Sequence, residues 1–339
     1  MSPAAVTLQV SLSPIDYPFA RLILPHQLRQ WAGQVADVLL VTDTHKVKMG
    51  RFAEGWEKHR GPLADLTAGL SAQYPNVRAV DVDFGPEATK RVSDRYFGGR
   101  PVPPKDLRGT PVYPYYWALD ASPQDIVLHI DSDMMFGGGS QLWASEAVAL
   151  FDAEPDMLFC SPLAGPPTRD GSLPGQPAAA PYGAKPNAFR FAGVSSRIFC
   201  LSKRRFAERI HEVKPRPLGI RGTARAVLQR NPRADMTENV LSEAMRHARM
   251  YRVDFLGTGP GMWSLHPPLR GEEFYAQLPT LISRIESGDV PDAQRGFYNI
   301  EDVFFDWSSA RAARAARPWW IRLAVWATGN PHRGAPSAH

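Results

Sequence analysis

The residues with the sharpest chemical signature are Asp131 and Asp133, at the end of the segment Ile126-Val127-Leu128-His129-Ile130-Asp131-Ser132-Asp133. A short apolar run of this kind reads as a strand buried inside a sheet. Two carboxylates at its carboxyl end fall in the crevice where open α/β sheets take their ligands. Residues i and i+2 of an extended segment project to the same side, so the pair is expected side by side. Hard oxygen donors so placed suit a divalent cation, Mg²⁺ or Mn²⁺, whose other ligands come from water and phosphate oxygens. The competing reading is a pair of acids that cap the next turn.

Such a strand needs neighbours, and the chain supplies them. Val6, Leu8, Val10 and Leu12 alternate with Thr7, Gln9 and Ser11, the period of a first strand. A helix is expected next, with Pro25 in its first turn and Leu28, Trp31 and Val35 on its buried face. The run Val38-Leu39-Leu40-Val41 ends in Thr42-Asp43 and completes a β-α-β unit. Val77 to Val82 is a further strand candidate. Residues 85 to 114 are rich in Gly, Pro and basic side chains, and read as a long loop, either a lid or a solvated insertion. Gly137-Gly138-Gly139 reads as a flexible break, with Ser140 as cap of the helix after it. Residues 164 to 187 read as a mobile loop. Strands are expected at Met157 to Cys160, Arg197 to Leu201 and Val253 to Leu256. Helices are expected at Arg204 to Ile210 and, capped by Thr237, from there onward.

The composition bounds the rest. The chain has 339 residues, 44% of them hydrophobic, enough for one large α/β domain with appendages. Cys160 and Cys200 both sit in apolar runs and read as buried free thiols. The N-terminal stretch has no basic segment leading into a long apolar core, and no run approaches a membrane span, so a cytoplasmic protein is expected. A net charge of +5 favours anionic partners, but no zinc-ligand spacing or RNA-binding signature supports nucleic acid. Residues 306–339 change character: Arg311, Arg314, Arg317 and Arg322 stand beside Trp319, Trp320 and Trp326. This basic, amphipathic tail fits a helix lying on an anionic membrane surface, or one packing its tryptophans on the core.

Taken with these elements, the IDSD segment resembles the GT-A glycosyltransferase superfamily, close to its inverting family-two branch. The other carriers are a first strand ending in a polar turn (Ser11, Ser13), a second ending in Asp43, the TEN segment before a helix, and a late His266. The resemblance implies a Rossmann-like α/β fold, its sheet mixed but mostly parallel and flanked by helices, across residues 1–305. About 1–140 would bind the nucleotide and about 141–305 the acceptor. It implies a hexosyltransferase-like activity on a UDP- or GDP-sugar donor, and the basic tail adds an expected peripheral attachment to the inner membrane face, which would suit a glycan or lipid-linked acceptor and a role in cell-surface glycan synthesis. Ser11, Ser13 and Asp43 would line the nucleoside pocket, Asp43 reaching the base. Asp131 would lie near ribose and metal, and Asp133 and His266 would bind the metal. Arg270 would grip the diphosphate with its forked donors. Where many inverting members carry Glu-Asp, this chain has Glu238-Asn239, so the base falls to Glu238 or next to Asp235. A retaining mechanism needs neither.

Other classes fit less well. A nucleotidyltransferase of nucleotide-sugar synthesis often has a Gly-rich loop after the first strand, and SLSPIDYPFAR has no glycine. A haloacid-dehalogenase-type phosphatase wants Thr or Val where Met135 stands, in a motif nearer the N-terminus. A catalytically inactive binding protein on the same fold stays open because of Asn239.

Overall fold

The fold is taken from a computed structural model, which describes residues 3–47, 53, 55–176, 179–183 and 186–316. The first half runs β1 (Ala4–Leu12), α1 (Tyr17–Trp31), β2 (Val35–Thr42), α2 (Trp56–Gln73), β3 (Val77–Asp81), α3 (Pro86–Phe97), α4 (Tyr113–Ala121) and β4 (Ile126–Asp131). There follow β5 (Met135–Gly137), α5 (Trp143–Ala153), β6 (Met157–Ala164), β7 (Ala180–Pro181), β8 (Ala188–Phe191), β9 (Ile198–Ser202) and α6 (Lys203–Ile210). The last part is α7 (Ile220–Leu228), α8 (Thr237–His247), β10 (Tyr251–Phe255), β11 (Trp263–Leu265), α9 (Glu272–Ser287) and α10 (Ser308–Ala315).

The strands form one mixed sheet in the order β3-β2-β1-β4-β9-β6-β10-β8-β7. β3, β2, β1 and β4 are mutually parallel, so Asp81, Thr42, Leu12 and Asp131 end on one edge. Helices cover both faces. Trp31 of α1, Trp143 of α5 and Phe274 of α9 share one core with Leu8 and Val10 of β1. Val92 of α3, Tyr116 of α4, Phe206 of α6 and Leu241 of α8 share the other with Val127 of β4. The polar face of β1 is therefore buried as well: Thr7, Gln9 and Ser11 all lie inside.

Several local expectations change. Pro25 lies in the middle of α1, whose first turn carries Pro18 instead, and Val35 belongs to β2. The basic stretch 85 to 114 is largely ordered, because α3 buries Ala88, Val92, Tyr96 and Phe97 at helical spacing. Its arginines are committed rather than free, Arg91 and Arg95 both pairing with Asp120. Two of the three glycines, Gly137 and Gly138, are tightly packed. A side chain on Gly137 would run into the Trp263 ring, and one on Gly138, at φ +90°, into the Gly261 carbonyl. α8 begins one residue earlier than a Thr237 cap requires, with Met236 in the cap position. Ser140 accepts from Leu142 N at 3.1 Å, just before α5. Of the tail, α10 holds Arg311, paired with Asp302 at 2.8 Å. Arg317, Trp319, Trp320, Arg322 and Trp326 lie outside the described residues. Among the described residues no helix is long and apolar enough to cross a membrane.

Candidate active site at the carboxyl edge of the sheet

Strand alternation decides where Asp131 points. Val127 and His129 face the α3–α4 layer, and Asp131 follows them in phase. Tyr115 Oη donates to Asp131 Oδ1 at 3.3 Å, and His129 Nε2 lies 3.4 Å from the same oxygen. The chain then leaves the extended conformation, because Met134 N donates back to Asp131 O at 3.2 Å. This turn breaks the period of two, and the two carboxylates meet different partners, Asp131 facing Tyr115 and His129 and Asp133 facing His266 and Arg270. Asp133 is carried toward the end of β1 and toward β11.

β11 brings the late histidine. It pairs with β5 in the register Leu265↔Met135 and Trp263↔Gly137, a close approach that Gly137 permits. His266 thereby faces Asp133, Nε2 at 3.4 Å from Oδ2. Its Nδ1 lies 3.3 Å from Asn299 Oδ1, and its ring stacks on Tyr298. Nδ1 donating to that amide oxygen leaves Nε2 with its lone pair turned toward a carboxylate. Burial first, and then Arg197, hold the His266 imidazole below its ordinary range and so neutral.

Arg270, just before α9, reaches Asp133 Oδ2 and lies over the Phe19 ring at 4.2 Å. Burial works against ionisation of Asp133, but the cationic Arg270, with Arg197, outweighs it and holds the carboxyl far below the usual range. Its other oxygen, Oδ1, is buried without a hydrogen-bond partner.

Three contributors were missed by inspection of the sequence. Asp16 accepts from Ser13 N at 2.9 Å, and burial, reinforced by Asp133, pushes its carboxyl up to about 7. The spacing Ser13-x-x-Asp16 is a capping-box pattern and was the available signal. Arg197 precedes β9, where its carbonyl accepts from Asp131 N at 2.8 Å. Burial opposes its charge, which Tyr298, Asp133, Asp131 and Glu238 more than restore. Lys105, from the basic stretch, is buried against Asp43. Nothing local marks Arg197 or Lys105 in the sequence.

The expected nucleoside residues separate. A cavity of about 270 Å³ opens at the ends of β2 and β3, lined by Pro14, Thr42, Thr44, Trp56 and Arg60 among others. Thr42 and Thr44 line it, while Asp43 between them turns its oxygens to Lys105 and to His45 N. Ser11 is buried in β1, level with Asp131 across the sheet. On the other side, Glu238 is exposed in the first turn of α8. Asp235 is already engaged: Oδ1 accepts from Met236 N and Asn239 Nδ2, both at 2.8 Å.

Comparison with known proteins gives likeness of structure only. No protein-family model and no curated protein matches the chain. Many solved structures resemble it, among them the following three. GalNAc-T7 with UDP, GalNAc and Mn²⁺ is 10% identical over 77% of this chain at a TM-score of 0.47, and the chain spans 43% of that protein. An active-site mutant of LgtC is 10% identical, over 72% of this chain and 70% of its own, at 0.34. The mannosyltransferase PcManGT from Pyrobaculum calidifontis, with GDP-Man and Mn²⁺, is 13% identical, over 98% of this chain and 83% of its own, at 0.40.

The donor set was then tested for fit to a divalent cation. Among the described residues no three His, Cys, Asp or Glu side chains converge into a ready metal site. Asp131 accepts from Tyr115. Asp133 and His266 do fit: a buried carboxylate oxygen without a partner and a neutral imidazole nitrogen facing the same group are donors in want of a cation. Phosphate oxygens and water supply the further ligands such ions take.

The turn itself is clamped from behind by α1. Buried Gln27 donates through Nε2 to Asp131 O at 3.0 Å and to Met134 O at 2.9 Å. Next to it, His26 accepts from Phe136 N at 2.9 Å on Nε2 and meets Glu286 at 2.7 Å through Nδ1. Both ring nitrogens are thus spoken for in the neutral form, and burial lowers the His26 value. A histidine with a lowered folded-state value contributes stability that is complete above its unfolded value, about 6.5, and is lost as pH falls through the folded one. His26→Gln keeps a donor and an acceptor but cannot titrate. Its melting temperature should therefore fall less steeply than that of the unaltered protein between pH 7 and pH 5. Parallel curves would show that His26 is not the titrating group. Glu286, held at about 2 by the His26 hydrogen bond, titrates below this window.

Proposed function

We propose that this chain is a metal-dependent, GT-A-type glycosyltransferase that takes a UDP- or GDP-sugar and transfers the sugar to an acceptor hydroxyl. The observation that carries the reading is Asp133: a buried carboxylate at the carboxyl edge of the parallel strands, with one oxygen unpartnered and the other facing His266. At the same edge of the sheet, at the ends of β2 and β3, opens a cavity of about 270 Å³, of the size of a nucleoside fragment, and Glu238 is an exposed carboxylate whose charge reaches Arg197.

In this reading Asp133 and His266 hold Mn²⁺ or Mg²⁺, and Asp131 lies toward the ribose. Bound there, the cation neutralises the charge that gathers on the departing diphosphate. The chain's own groups do the rest. Arg197 and Arg270 add positive charge at the same edge, which favours the anionic leaving group. Ser11, Ser13 and the Thr42–Thr44 turn bound the nucleoside side, with Asp43 bracing that turn through Lys105. Residues 141–305 form the acceptor half. If the reaction inverts, Glu238 takes the proton as the acceptor oxygen bonds to the anomeric carbon and the sugar–phosphate bond breaks, releasing a nucleoside diphosphate. The mild positive charge and the basic tail, residues 306–339, support a glycan or lipid-linked acceptor at the inner face of a membrane, as in cell-surface glycan synthesis.

The reading is tested by a panel of nucleotide sugars with Mn²⁺, Mg²⁺ or a chelator. At a concentration of 100 Kd the correct donor should stabilise the fold by about 2.7 kcal/mol, only with the metal, and should be slowly hydrolysed. A donor that binds equally well in chelator would assign the cation's place to Arg270. No stabilisation by any nucleotide sugar would overturn the proposal.

A further inference from the structure

Among the described residues nothing covers the apolar side of α7. Of its nine residues only Ala226 is buried. Ile220 is 90% exposed, Val227 53% and Leu228 62%, and Ala224 is exposed as well. These positions, i, i+4, i+7 and i+8, fall on one face. A nine-residue helix is too short to be stable on its own propensity, so an uncovered apolar stripe calls for something to lie against it.

The charge around the stripe says what. Residues 213–234 contain Lys214, Arg216, Arg221, Arg225, Arg230 and Arg233 and no acidic residue. Lys214 pairs with Glu212 and Arg216 with Glu243, so the charge that bears on the stripe is that of the arginines on α7 and just after it, Arg221, Arg225, Arg230 and Arg233. A second copy of α7 would bring the same charge and be repelled. So would residues 317–339, which include Arg317, Arg322 and Arg333 and again no acid. An apolar stripe between basic residues matches the boundary of an anionic bilayer, where apolar side chains enter the acyl region and arginines meet phosphate.

We propose that α7 is a membrane-docking helix, seating Ile220, Ala224, Val227 and Leu228 in a bilayer rich in anionic lipid headgroups. The surface is distinct from the C-terminal tail. The chain leaving α7 is tied to the 105–111 turn, by Asn231 Nδ2 to Leu107 O at 3.3 Å and Leu107 N to Ala234 O at 2.9 Å, and then enters α8. Docking of α7 therefore sets Glu238 near the lipid–water boundary. Resting on the transferase reading, this makes the acceptor a lipid-linked one, its reacting hydroxyl presented at headgroup level.

Both native cysteines are fully buried, so a cysteine placed on α7 can be labelled alone. Full-length Ile220→Cys would carry a polarity-sensitive fluorophore, with Lys90→Cys on exposed α3 as the control. Vesicles of phosphatidylglycerol in phosphatidylcholine should shift emission at 220 to the blue and leave position 90 unchanged. Pure phosphatidylcholine should do much less. Arg221→Glu with Arg230→Glu should weaken the shift at least tenfold in lipid concentration. Co-sedimentation with a label at 220 still in water would place the contact in the tail and overturn the proposal. So would a blue emission already present without vesicles, which means that another part of the chain or a second copy covers α7. A shift with polyglutamate but not with vesicles would make the partner an acidic protein. Metal-dependent donor hydrolysis, read without vesicles on the same protein, fails only if the transferase reading fails.

Discussion

Asp133→Asn should abolish metal-dependent nucleotide binding while leaving the protein folded. The substitution keeps an acceptor for Arg270 and the volume of the side chain, so the local packing has no reason to change. What it removes is the charge. A neutral amide oxygen is a poor ligand for a hard cation, and the remaining donor at this position, His266 Nε2, is a single nitrogen. Loss of a residue that merely supports a metal ligand commonly weakens metal binding about 10–100-fold, and loss of the ligand itself should exceed that. Calorimetric titration of UDP and GDP with and without Mn²⁺ reads the effect directly. Affinity that is unchanged in the variant, with Mn²⁺ still required, would move the metal to another site. The same titration of Asp131→Asn should give a smaller loss, because Asp131 is already engaged by Tyr115, whereas Asp133 keeps one oxygen without a partner.

Glu238→Gln should lower kcat by about 10²-fold or more, the usual weight of a general base, with little change in donor affinity. Glu238 has the accessibility that an acceptor requires, and its charge reaches Arg197, the arginine shared with Asp131 and Asp133. Asp235 is the informative control. Its Oδ1 accepts from Met236 N and Asn239 Nδ2, and Arg216 lies 3.6 Å from Oδ2, so it holds the start of α8. Asp235→Asn should therefore lower the melting temperature more than the turnover. A turnover loss larger for Asp235→Asn than for Glu238→Gln, at equal stability, would name the wrong carboxylate here. Full activity in both variants would point to a retaining reaction, which requires no such base.

How the candidate site was legible, and where it was not, follows from the range of the forces involved. Local burial leaves a period in the sequence. The strand segments at 6–12, 38–41 and 126–130 could be read because an apolar side chain must recur every second residue or run unbroken to meet a core. α3 was missed because Ala88, Val92, Tyr96 and Phe97, at helical spacing, are diluted by lysines, arginines and flanking glycines that resemble a loop. Asp131 and Asp133 stood out because carboxylates after a buried strand are costly unless something uses them.

The sequence by itself determined the β-α-β order, the burial of β4 and the presence of acids at its carboxyl end, since each depends on residues close together in the chain. Tertiary structure alone decided which groups meet. A turn closed from Met134 N to Asp131 O sends the two aspartates to different neighbours. The pairing of β5 with β11 brings His266 to Asp133 across more than a hundred residues, and Gly137 gives it room. Asp16, Arg197 and Lys105 join only when the ends of β1, β2 and β9 are laid side by side. Contacts of that kind depend on strand order and register, which the packing of whole faces selects and no local period records.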